Sequence, residues 1–491
     1  MRTFWKYFLI IILLLIGLCA VGVLYLFFVP GSSLFGITYI SYHEDIYSRA
    51  YATENISKVE LNSRSYQVNV VPSSTDEISL KVYSNSLGFV LTRNSEVVIN
   101  ESAEGDTLIF NVAEPYGLAT ANSSYIELRI PAISDIDITL TNRNATTNLN
   151  SADLVINNLT YRSDNGDLNF NAGEIKGSFD IELGNADFTI GGSVVTNNNN
   201  VTIAMTTGQF SAQESILGDF TINRNNRGVF LIKQCNRFGF NLDEGGGRVE
   251  IETVANLNIT SSDTNVYVDN IVEGATIRLT QSGRVEIGNV QGYSDIITND
   301  GAIHVGNSTA RLILQSNDGH ITVDSTMREI EASSAYGDIS ITFSEQADSF
   351  NEDRTSRTAT ASTNNGKITL HGAENININI AENGRAEIYM NNVYGENILS
   401  GNTGEIYLVI NENADNKYTL ITQSTSGNVS VDLAQFQAGG GGYHTNARTE
   451  TLVHFDSGVD NESDPVWDEN VLTVSTASGS LLVRDSITVN F

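Results

Sequence analysis

The chain has 491 residues, with 58 acidic against 27 basic side chains and a formal net charge of −31. This balance excludes a nucleic-acid partner, because binding a phosphate backbone needs clustered lysine and arginine. The two cysteines, Cys19 and Cys235, exclude a disulfide scaffold, and nothing in the sequence indicates redox chemistry.

The first predicted element is a membrane-spanning helix at residues 8–29. From Phe8 to Val29 the chain carries no charge, and about 20 apolar residues span a bilayer. Arg2 and Lys6 precede the run, so the positive-inside rule places residues 1–7 in the cytoplasm and the bulk of the chain outside the cell. A cleaved signal peptide is the alternative. The apolar run continues from Val23 to Val29, past the small residues where cleavage would be expected, which favours an uncleaved single-pass anchor in the cell membrane.

Residues 30–55 are predicted to form a juxtamembrane linker. Its tyrosines, among them Tyr47 and Tyr51, either sit at the lipid headgroups or pack on the first strands. A β region at residues 56–150 follows, with alternating strands such as Tyr66-Gln67-Val68-Asn69-Val70 between polar turns. The pattern leaves open whether this region is a separate domain.

Residues 151–491 are built from a repeat. Gly283, Gly301, Gly319 and Gly337 are 18 residues apart, and apolar residues stand at the second and fourth positions after each glycine. Alternation of this kind is typical of a strand with one buried face, and a fixed short period is typical of stacked repeats. We therefore predict an all-β fold: a single-stranded parallel β-helix, or β-solenoid, in which each rung (one circuit of the chain) takes about 18–20 residues.

Two insertions interrupt the repeat, near residues 344–365 and 434–470. The second begins with four glycines, and its candidate interaction residues are Tyr443, His444, Phe455 and Trp467. Aromatic side chains on a projecting loop commonly contact sugars or protein pockets, so a glycan or a surface protein is the expected ligand. Two alternatives remain open: a hairpin around Phe455 that caps the apolar end of the solenoid, or a tolerated loop.

The strand pair from Val59 to Val82, the Ile130-Pro131 segment and repeats such as Ser316 to Val323 together resemble the bacterial putative-adhesin family. The resemblance runs from Ile56 to the C-terminus. It implies a β-solenoid, often tethered to a membrane, with a role at the cell surface or envelope. The family supplies no catalytic residues to carry over.

The sequence contains no recognisable catalytic motif. None of the six histidines has metal-ligand spacing, and no nucleophile elbow or phosphate-binding glycine loop is present. We therefore expect no catalytic residues, no cofactor and no metal, and we predict a non-enzymatic, membrane-anchored adhesin or surface-interaction protein of undetermined oligomeric state. One alternative is a polysaccharide lyase or hydrolase on a β-helix, with acids such as Asp318 and Asp338 in convergent positions. The other is a self-associating structural or envelope-sensing protein.

Overall fold

The structure is a computed structural model that describes residues 2–29, 33–34, 37–91, 96–113, 117–171, 173–191, 194–196, 201–241, 246–344, 357–410, 418–424, 429–432, 451–455 and 471–485. These residues fall into two compact units, 1–224 and 225–491, which are described separately below. The described residues form a β-solenoid of about 12 rungs with one N-terminal apolar helix, so the predicted fold class is confirmed.

The N-terminal helix α1 spans Arg2–Phe28. Its segment Trp5–Tyr25 is long and apolar enough to cross a membrane, as judged by length and composition. A signal sequence near an N-terminus meets the same criterion. The apolar side chains of this segment are mostly exposed, with Leu18 68% accessible, so the protein itself does not cover them.

The strands of the first unit begin after this helix, and a 3₁₀ helix (Thr53–Asn55) separates the second strand from the third. In chain order the strands are β1 (Ser33–Leu34), β2 (Ile37–Ala52), β3 (Lys58–Ser63), β4 (Gln67–Ser73), β5 (Glu77–Leu91), β6 (Val98–Glu104), β7 (Thr107–Ala113), β8 (Gly117–Asn122), β9 (Tyr125–Pro131), β10 (Asp137–Asn142), β11 (Thr147–Leu149), β12 (Val155–Ile156), β13 (Leu159–Ser163), β14 (Leu168–Phe170), β15 (Glu174–Ile175), β16 (Phe179–Asn185), β17 (Phe188–Ile190), β18 (Val194–Thr196) and β19 (Val201–Asn241), the last of which includes residues of both units.

The first rung of this unit is not at the end of the stack. Strands β3 and β4 lie between two later segments: β7 and β9 on one side, β10 and β11 on the other, all in parallel pairing. From β10 onward the rungs follow chain order, with Leu159 beside Phe179 and Phe179 beside Val201. The outer strands β7 and β9 are covered by the antiparallel strands β6 and β5, which protects an edge that would otherwise be free to pair.

Aromatic packing fills much of the core of the first unit. Phe170, Phe179, Phe188 and Phe210 form a continuous series, with ring centroids of successive pairs 5.0, 5.8 and 5.1 Å apart. All four side chains are buried. Each pair joins neighbouring rungs or neighbouring strands of a rung, so the series ties the stack together along its interior.

The second unit is also built of stacked β-strands. In chain order they are β20 (Arg248–Ser261), β21 (Asn265–Leu279), β22 (Val285–Val290), β23 (Ser294–Thr298), β24 (Ile303–Ser308), β25 (Leu312–Ser316), β26 (Ile321–Thr326), β27 (Ile330–Ser334), β28 (Ile339–Phe343), β29 (Thr358–Thr363), β30 (Lys367–Ala373), β31 (Asn375–Ile380), β32 (Arg385–Met390), β33 (Glu396–Gly401), β34 (Ile406–Ile410), β35 (Tyr418–Ser424), β36 (Val429–Asp432), β37 (Thr451–Phe455), β38 (Val471–Thr476) and β39 (Leu481–Asp485).

Apolar residues of successive rungs stack in columns, as the repeat predicts. Val285 lies beside Ile303, Ile303 beside Ile321, and Ile321 beside Ile339, all in parallel register. Each of these side chains is at most 1% exposed, whereas the alternate residue Thr322 is only half-buried. The predicted inward and outward faces are therefore confirmed for this block.

The repeated glycines are needed because the backbone of one rung touches the next. A Cβ atom placed on Gly319 would lie 2.0 Å from the carbonyl oxygen of Gly301, and one on Gly337 would lie 2.2 Å from that of Gly319. Both distances are too short for the Cβ atom of any other residue. The atom that the Cβ would meet belongs to the backbone, so it cannot rotate away as a side chain could. The 18-residue glycine period is thus a packing requirement of the turn.

Each of these turns is also closed by a buried hydroxyl three residues before the glycine. Ser316 Oγ accepts the Gly319 N–H at 2.9 Å, and Ser334 Oγ accepts the Gly337 N–H at 2.9 Å. The Ser334 hydroxyl in turn donates to the Gly319 carbonyl of the preceding rung at 3.1 Å. The hydroxyl satisfies main-chain groups that the turn would otherwise leave buried and unpaired.

The C-terminal rung lies inside the stack. Strands β38 and β39 pair in parallel with β33 and β34 on one side and with β35 and β36 on the other. The rung formed by β35 and β36 therefore lies beyond it, although it comes earlier in the chain. Strand β37 covers the outer edge of β35 in antiparallel pairing.

Candidate functional site

Three of the four predicted interaction residues, Tyr443, His444 and Trp467, lie outside the described residues. The fourth, Phe455, is the last residue of β37, and its backbone lies opposite Tyr418 of β35. The insertion thus contributes a strand to the outer edge of β35, which is the backbone placement that the capping alternative expects for Phe455.

An aromatic ladder, formed by His371, Tyr389 and Tyr407, lies on the outward face of the second unit. The His371 and Tyr389 rings are stacked, with centroids 4.4 Å apart and planes 7° apart, and Tyr389 meets Tyr407 edge to face at 6.2 Å. The three residues come from β30, β32 and β34, which are neighbours in the stack. Because two of the rings cover each other, the ladder presents mainly ring edges and polar atoms to a ligand.

The stacking of the first two rings follows from the strand register, because His371 and Tyr389 are direct partners in the parallel pairing of β30 with β32. The pairing shifts between His371 and Ala373, where the intervening Gly372 has φ +76°, a conformation that glycine adopts without strain. Burial lowers the pKa of the His371 imidazole, and burial raises the pKa of the Tyr389 phenol. Both shifts favour neutral rings at neutral pH, which suits face-to-face packing.

Charged side chains flank the ladder on the same face. Lys367 pairs with Glu387, and Arg385 lies 3.7 Å from Glu405. Both pairs are largely exposed, so each contributes less than about 1 kcal/mol to stability. Their role on this face is to surround the ladder with hydrogen-bonding groups of both signs.

A second cluster, the tyrosine–glutamate cluster, joins the strand after α1 to the solenoid. It consists of Tyr47, Arg49, Tyr51 and Glu101. Tyr47 donates its hydroxyl proton to Glu101 at 2.7 Å, Arg49 donates to the same carboxylate oxygen at 2.8 Å, and Tyr51 lies 2.7 Å from the Tyr47 hydroxyl. The Tyr51 ring also meets Phe110 at 5.6 Å. Tyr47 and Tyr51 therefore contact residues of β6 and β7, as the packing alternative expects.

The electrostatics of this cluster follow from one carboxylate. The Tyr47 hydroxyl that donates to Glu101 is the main cause of the lowered pKa of that carboxyl. Burial raises the pKa of both phenols, and the neighbouring carboxylate adds to the effect. The cluster therefore combines neutral phenols with an ionised carboxylate. This arrangement suits a structural contact between strands better than it suits proton transfer.

Comparison with known proteins identifies the family. The family model described as Toastrack DUF4097 matches residues 56–379, more than half of the chain. The chain belongs to the Toastrack DUF4097 family. The match begins just before β3 and ends within β31, so it covers the solenoid up to that strand and leaves out α1 and β32 to β39. The resemblance to the putative-adhesin family found in the sequence is thereby confirmed.

Solved structures with a similar arrangement are distant. A "putative cell adhesion protein" from Clostridium sporogenes ATCC 15579 is 7% identical, with 90% of this chain and 98% of that chain covered and a TM-score of 0.17. A "putative adhesin" from Bacteroides fragilis NCTC 9343 is 12% identical, with 72% and 100% covered and a TM-score of 0.17. A "putative lipid binding protein" from Parabacteroides distasonis ATCC 8503 is 9% identical, with 70% and 96% covered and a TM-score of 0.16. No curated protein matches.

The Toastrack match divides the candidate surfaces. Of the aromatic ladder, His371 lies inside the matched range, whereas Tyr389 and Tyr407 follow it. Of the tyrosine–glutamate cluster, Glu101 lies inside the range and the two tyrosines precede it. Both surfaces therefore combine the Toastrack solenoid with segments that extend it at either end.

The acids that the enzyme alternative would use are engaged in turns. Asp338 accepts the Lys367 N–H at 2.8 Å, while the Asp338 N–H donates to the His320 ring at 2.9 Å. Asp318 accepts from the neighbouring Asn317 amide at 3.3 Å. A glycosidase acid needs a raised pKa. Among the described residues, the carboxyls with a displaced pKa are Glu101 and Asp106, and in both the pKa is lowered by hydroxyl donors.

One histidine lies close to a carboxylate on the outward face of the second unit. His304 Nε2 lies 2.9 Å from an Asp324 carboxylate oxygen, and both side chains are partly exposed. Across the described part of the chain, no three histidine, cysteine or acidic side chains are arranged to hold a metal ion. The pair is therefore an ordinary charge-assisted contact on the outward face.

The aromatic ladder was not singled out from the sequence. Its signal is nevertheless present, because His371 and Tyr389 each stand five residues after a turn glycine, Gly366 and Gly384, at a position that points away from the core. Tyr407 stands three residues after Gly404, which is also an outward position. Counting outward aromatics by their offset from the turn glycine would have found all three.

Proposed function

We propose that this protein is a membrane-anchored, non-catalytic surface-interaction protein whose solenoid lies outside the cell. The observation that carries the proposal is the direct connection of α1 to the solenoid. Only residues 29–36 separate the end of α1 from β2, and β2 pairs with β5 along most of its length. The tyrosine–glutamate cluster then fixes β2 to β6 and to the Phe110 side chain.

This arrangement suits an anchor better than a passive leader. A cleaved leader needs no fixed connection to the mature fold, whereas an anchored ectodomain is oriented by the segment that follows its membrane helix. Arg2 and Lys6 before the apolar segment favour a cytoplasmic N-terminus. The lipid bilayer is then the first partner of the protein, through α1.

The second partner is a glycan or a protein at a cell surface. We infer that its primary contact is the insertion that carries Tyr443, His444, Phe455 and Trp467; strand β37 of this insertion pairs with the outer edge of β35, which supports the inference. The aromatic ladder is the alternative surface for the same role. Its polar edges and flanking ion pairs suit hydrogen bonding to sugar hydroxyls or to an extended peptide.

Topology is tested with the full chain carrying one tag at each end. In right-side-out membrane vesicles, added protease should remove the C-terminal tag and leave the N-terminal tag on a short membrane fragment. In inverted vesicles the result should reverse. Release of the intact solenoid into the soluble fraction without its N-terminal tag would show cleavage, and protection of the C-terminal tag in right-side-out vesicles would reverse the proposed orientation.

Binding is tested with the full chain in lipid vesicles on an array of glycans and cell-wall polymers. Two double variants are compared. The loop variant carries Tyr443→Ala and Trp467→Ala, and the ladder variant carries Tyr389→Ala and Tyr407→Ala. Tyr336→Ala is the matched control, because this tyrosine is 59% exposed at the turn between β27 and β28 and belongs to neither surface. Loss of binding in the loop variant alone supports the placement. Binding lost only in the ladder variant moves the site there, and a wild-type protein that binds nothing on the array or on whole cells contradicts the proposed function.

Deleting residues 440–464 separates recognition from capping. If the insertion recognises a ligand, the deletion should abolish binding and leave the melting temperature near that of the wild type. If it caps the solenoid, the melting temperature should fall or the protein should aggregate through the exposed edge of β35. Unchanged binding together with unchanged stability would discard both roles.

A further inference from the structure

The C-terminal segment, residues 471–485, fills a position between two rungs that precede it in the chain. We call these residues the donor segment, and we call the space between β33–β34 and β35–β36 the slot. Both strands of the donor segment are paired on both sides. On the β33–β34 side, for example, the Val471 N–H donates to the Gly395 carbonyl at 2.9 Å and the Ile406 N–H donates to the Ser480 carbonyl at 2.8 Å. The rungs on either side of the slot are not paired with each other in the described residues.

The slot selects a specific strand–turn–strand sequence. The four inward side chains of the donor segment are at most 1% exposed and continue the apolar columns of the neighbouring rungs; they are Leu472, Val474, Leu481 and Val483. The turn between them repeats the hydroxyl–glycine closure, with the Gly479 N–H donated to Thr476 Oγ1 at 3.0 Å. A Cβ atom on Gly479 would lie 1.8 Å from the Gly404 carbonyl oxygen, so the slot admits only glycine there.

The donor segment is joined to the rest of the chain by a connection much longer than its path requires. Phe455 lies opposite Tyr418 on one side of β35, and Val471 lies beside Thr419 on the other side, so both ends of the connection are at the same end of β35. Two interstrand spacings separate them, about 10 Å. The fifteen intervening residues, 456–470, can span up to about 50 Å when extended.

We propose that the slot also accepts the donor segment of a second copy of this chain, so that copies are linked by exchange of residues 471–485. The hydrogen bonds and the buried side chains are the same whether the donor comes from the same chain or from another. The connection is long enough to reach a neighbour without strain. Exchange of an identical element is a low-cost route to association, and the two arrangements differ mainly in effective concentration. This inference does not depend on which ligand the surface binds.

The experiment is a disulfide test between two full-length chains in a Cys19→Ala background. One chain carries Ser400→Cys and the other Ser475→Cys; these outward residues are aligned across the boundary between slot and donor. The matched control pair carries Ser333→Cys and Ser362→Cys, which are aligned in the same way on β27 and β29, where the rungs follow chain order. Each pair is co-produced with different tags, oxidised mildly and examined for a mixed dimer.

If the segments exchange, the yield of mixed dimer from the Ser400→Cys and Ser475→Cys pair should be several-fold higher than the yield from the control pair. Association through α1 would raise both pairs equally. Adding Leu472→Asp to the Ser475→Cys chain should reduce the dimer to the control level, because this donor no longer fits the slot. A dimer that survives that change, or a dimer yield equal to the control, overturns the proposal.

Single chains that carry both cysteines of a pair test whether the donor segment is folded and lies in the slot. The Ser400→Cys/Ser475→Cys chain and the Ser333→Cys/Ser362→Cys chain should both form an internal disulfide. If only the second does so, the donor segment is not in the slot, and the proposal falls. If both do so and no mixed dimer forms, the donor stays with its own chain, which also overturns the exchange.

Discussion

Replacing one buried isoleucine by aspartate is the sharpest test of the rung geometry. Ile321 is 0% exposed and lies between Ile303 and Ile339 in the inward column. The next residue, Thr322, is half-buried on the outward face between His304 and Ser340. The two positions are adjacent in sequence and lie on the same strand, so Thr322→Asp is a matched control for Ile321→Asp.

The expected difference between the two variants is large. Ile321→Asp forfeits about 1.5–3 kcal/mol of apolar burial. It also places a carboxyl group among isoleucines, and burying a polar group without a partner costs roughly another 2–7 kcal/mol even when the group stays protonated. The sum is a large part of the roughly 5–15 kcal/mol that holds a domain folded. Thr322→Asp should change the unfolding free energy by less than about 0.5 kcal/mol.

Denaturant unfolding followed by circular dichroism measures both variants against the wild type. Midpoints are compared instead of extrapolated free energies, because a repeat array can unfold in more than one step. Ile321→Asp should lower the midpoint sharply or prevent folding, and Thr322→Asp should leave it in place. Equal losses in the two variants would refute the assigned inward and outward faces.

Three further outcomes follow from other parts of the structure. Gly319→Ala should lower the unfolding free energy by about 1–3 kcal/mol, since its Cβ meets backbone 2.0 Å away, whereas Gly191→Ala, whose Cβ lies 3.6 Å from the nearest side-chain atom, should be close to neutral in the same melt. Glu101→Gln should make the unfolding free energy fall less steeply as the pH is lowered. The lowered carboxyl pKa of Glu101 stabilises the fold above the pKa of the unfolded chain, about 4.3, and that stabilisation is lost as the pH falls. Equal acid sensitivity in the variant and the wild type would contradict the cluster. Cys235 is buried and burial raises its thiol pKa to about 12, so thiol reagents should modify it only on unfolding; rapid labelling of the native protein would contradict its placement.

The repeat was predictable because one physical constraint recurs at every rung. Gly301, Gly319 and Gly337 each approach the backbone of the preceding rung, so the sequence must keep a glycine at a fixed interval. The apolar residues that follow then alternate in a fixed phase, and parallel in-register stacking aligns Ile303 with Ile321. The period and the buried face are both set locally, which is why the sequence alone identifies them.

The order of the rungs at both ends of the chain could not be predicted in this way. Leu472 and Leu481 have the same local pattern wherever their rung is placed in the stack, and alternation does not say which rungs are its neighbours. The same holds for β3 and β4 at the other end. The stacking of His371 on Tyr389 depends on β32 lying beside β30 in that register, and the alternation within one strand does not specify its neighbour.

The internal position of the C-terminal rung leads to a last prediction. Substitutions close to a chain terminus are ordinarily tolerated, because terminal residues are seldom well ordered. Leu472, however, is 0% exposed between Asn397 and Leu420, and the amide of Asn397 already donates to two main-chain carbonyls. Leu472→Asp therefore introduces a carboxyl group with no free donor from that side chain, and it should lower the unfolding midpoint of the second unit about as much as Ile321→Asp. The outward neighbour is the control: Thr473→Asp should be nearly neutral. If the two variants at 472 and 473 behave alike, the C-terminal rung is not held between β33 and β35, and both its internal position and the slot must be abandoned.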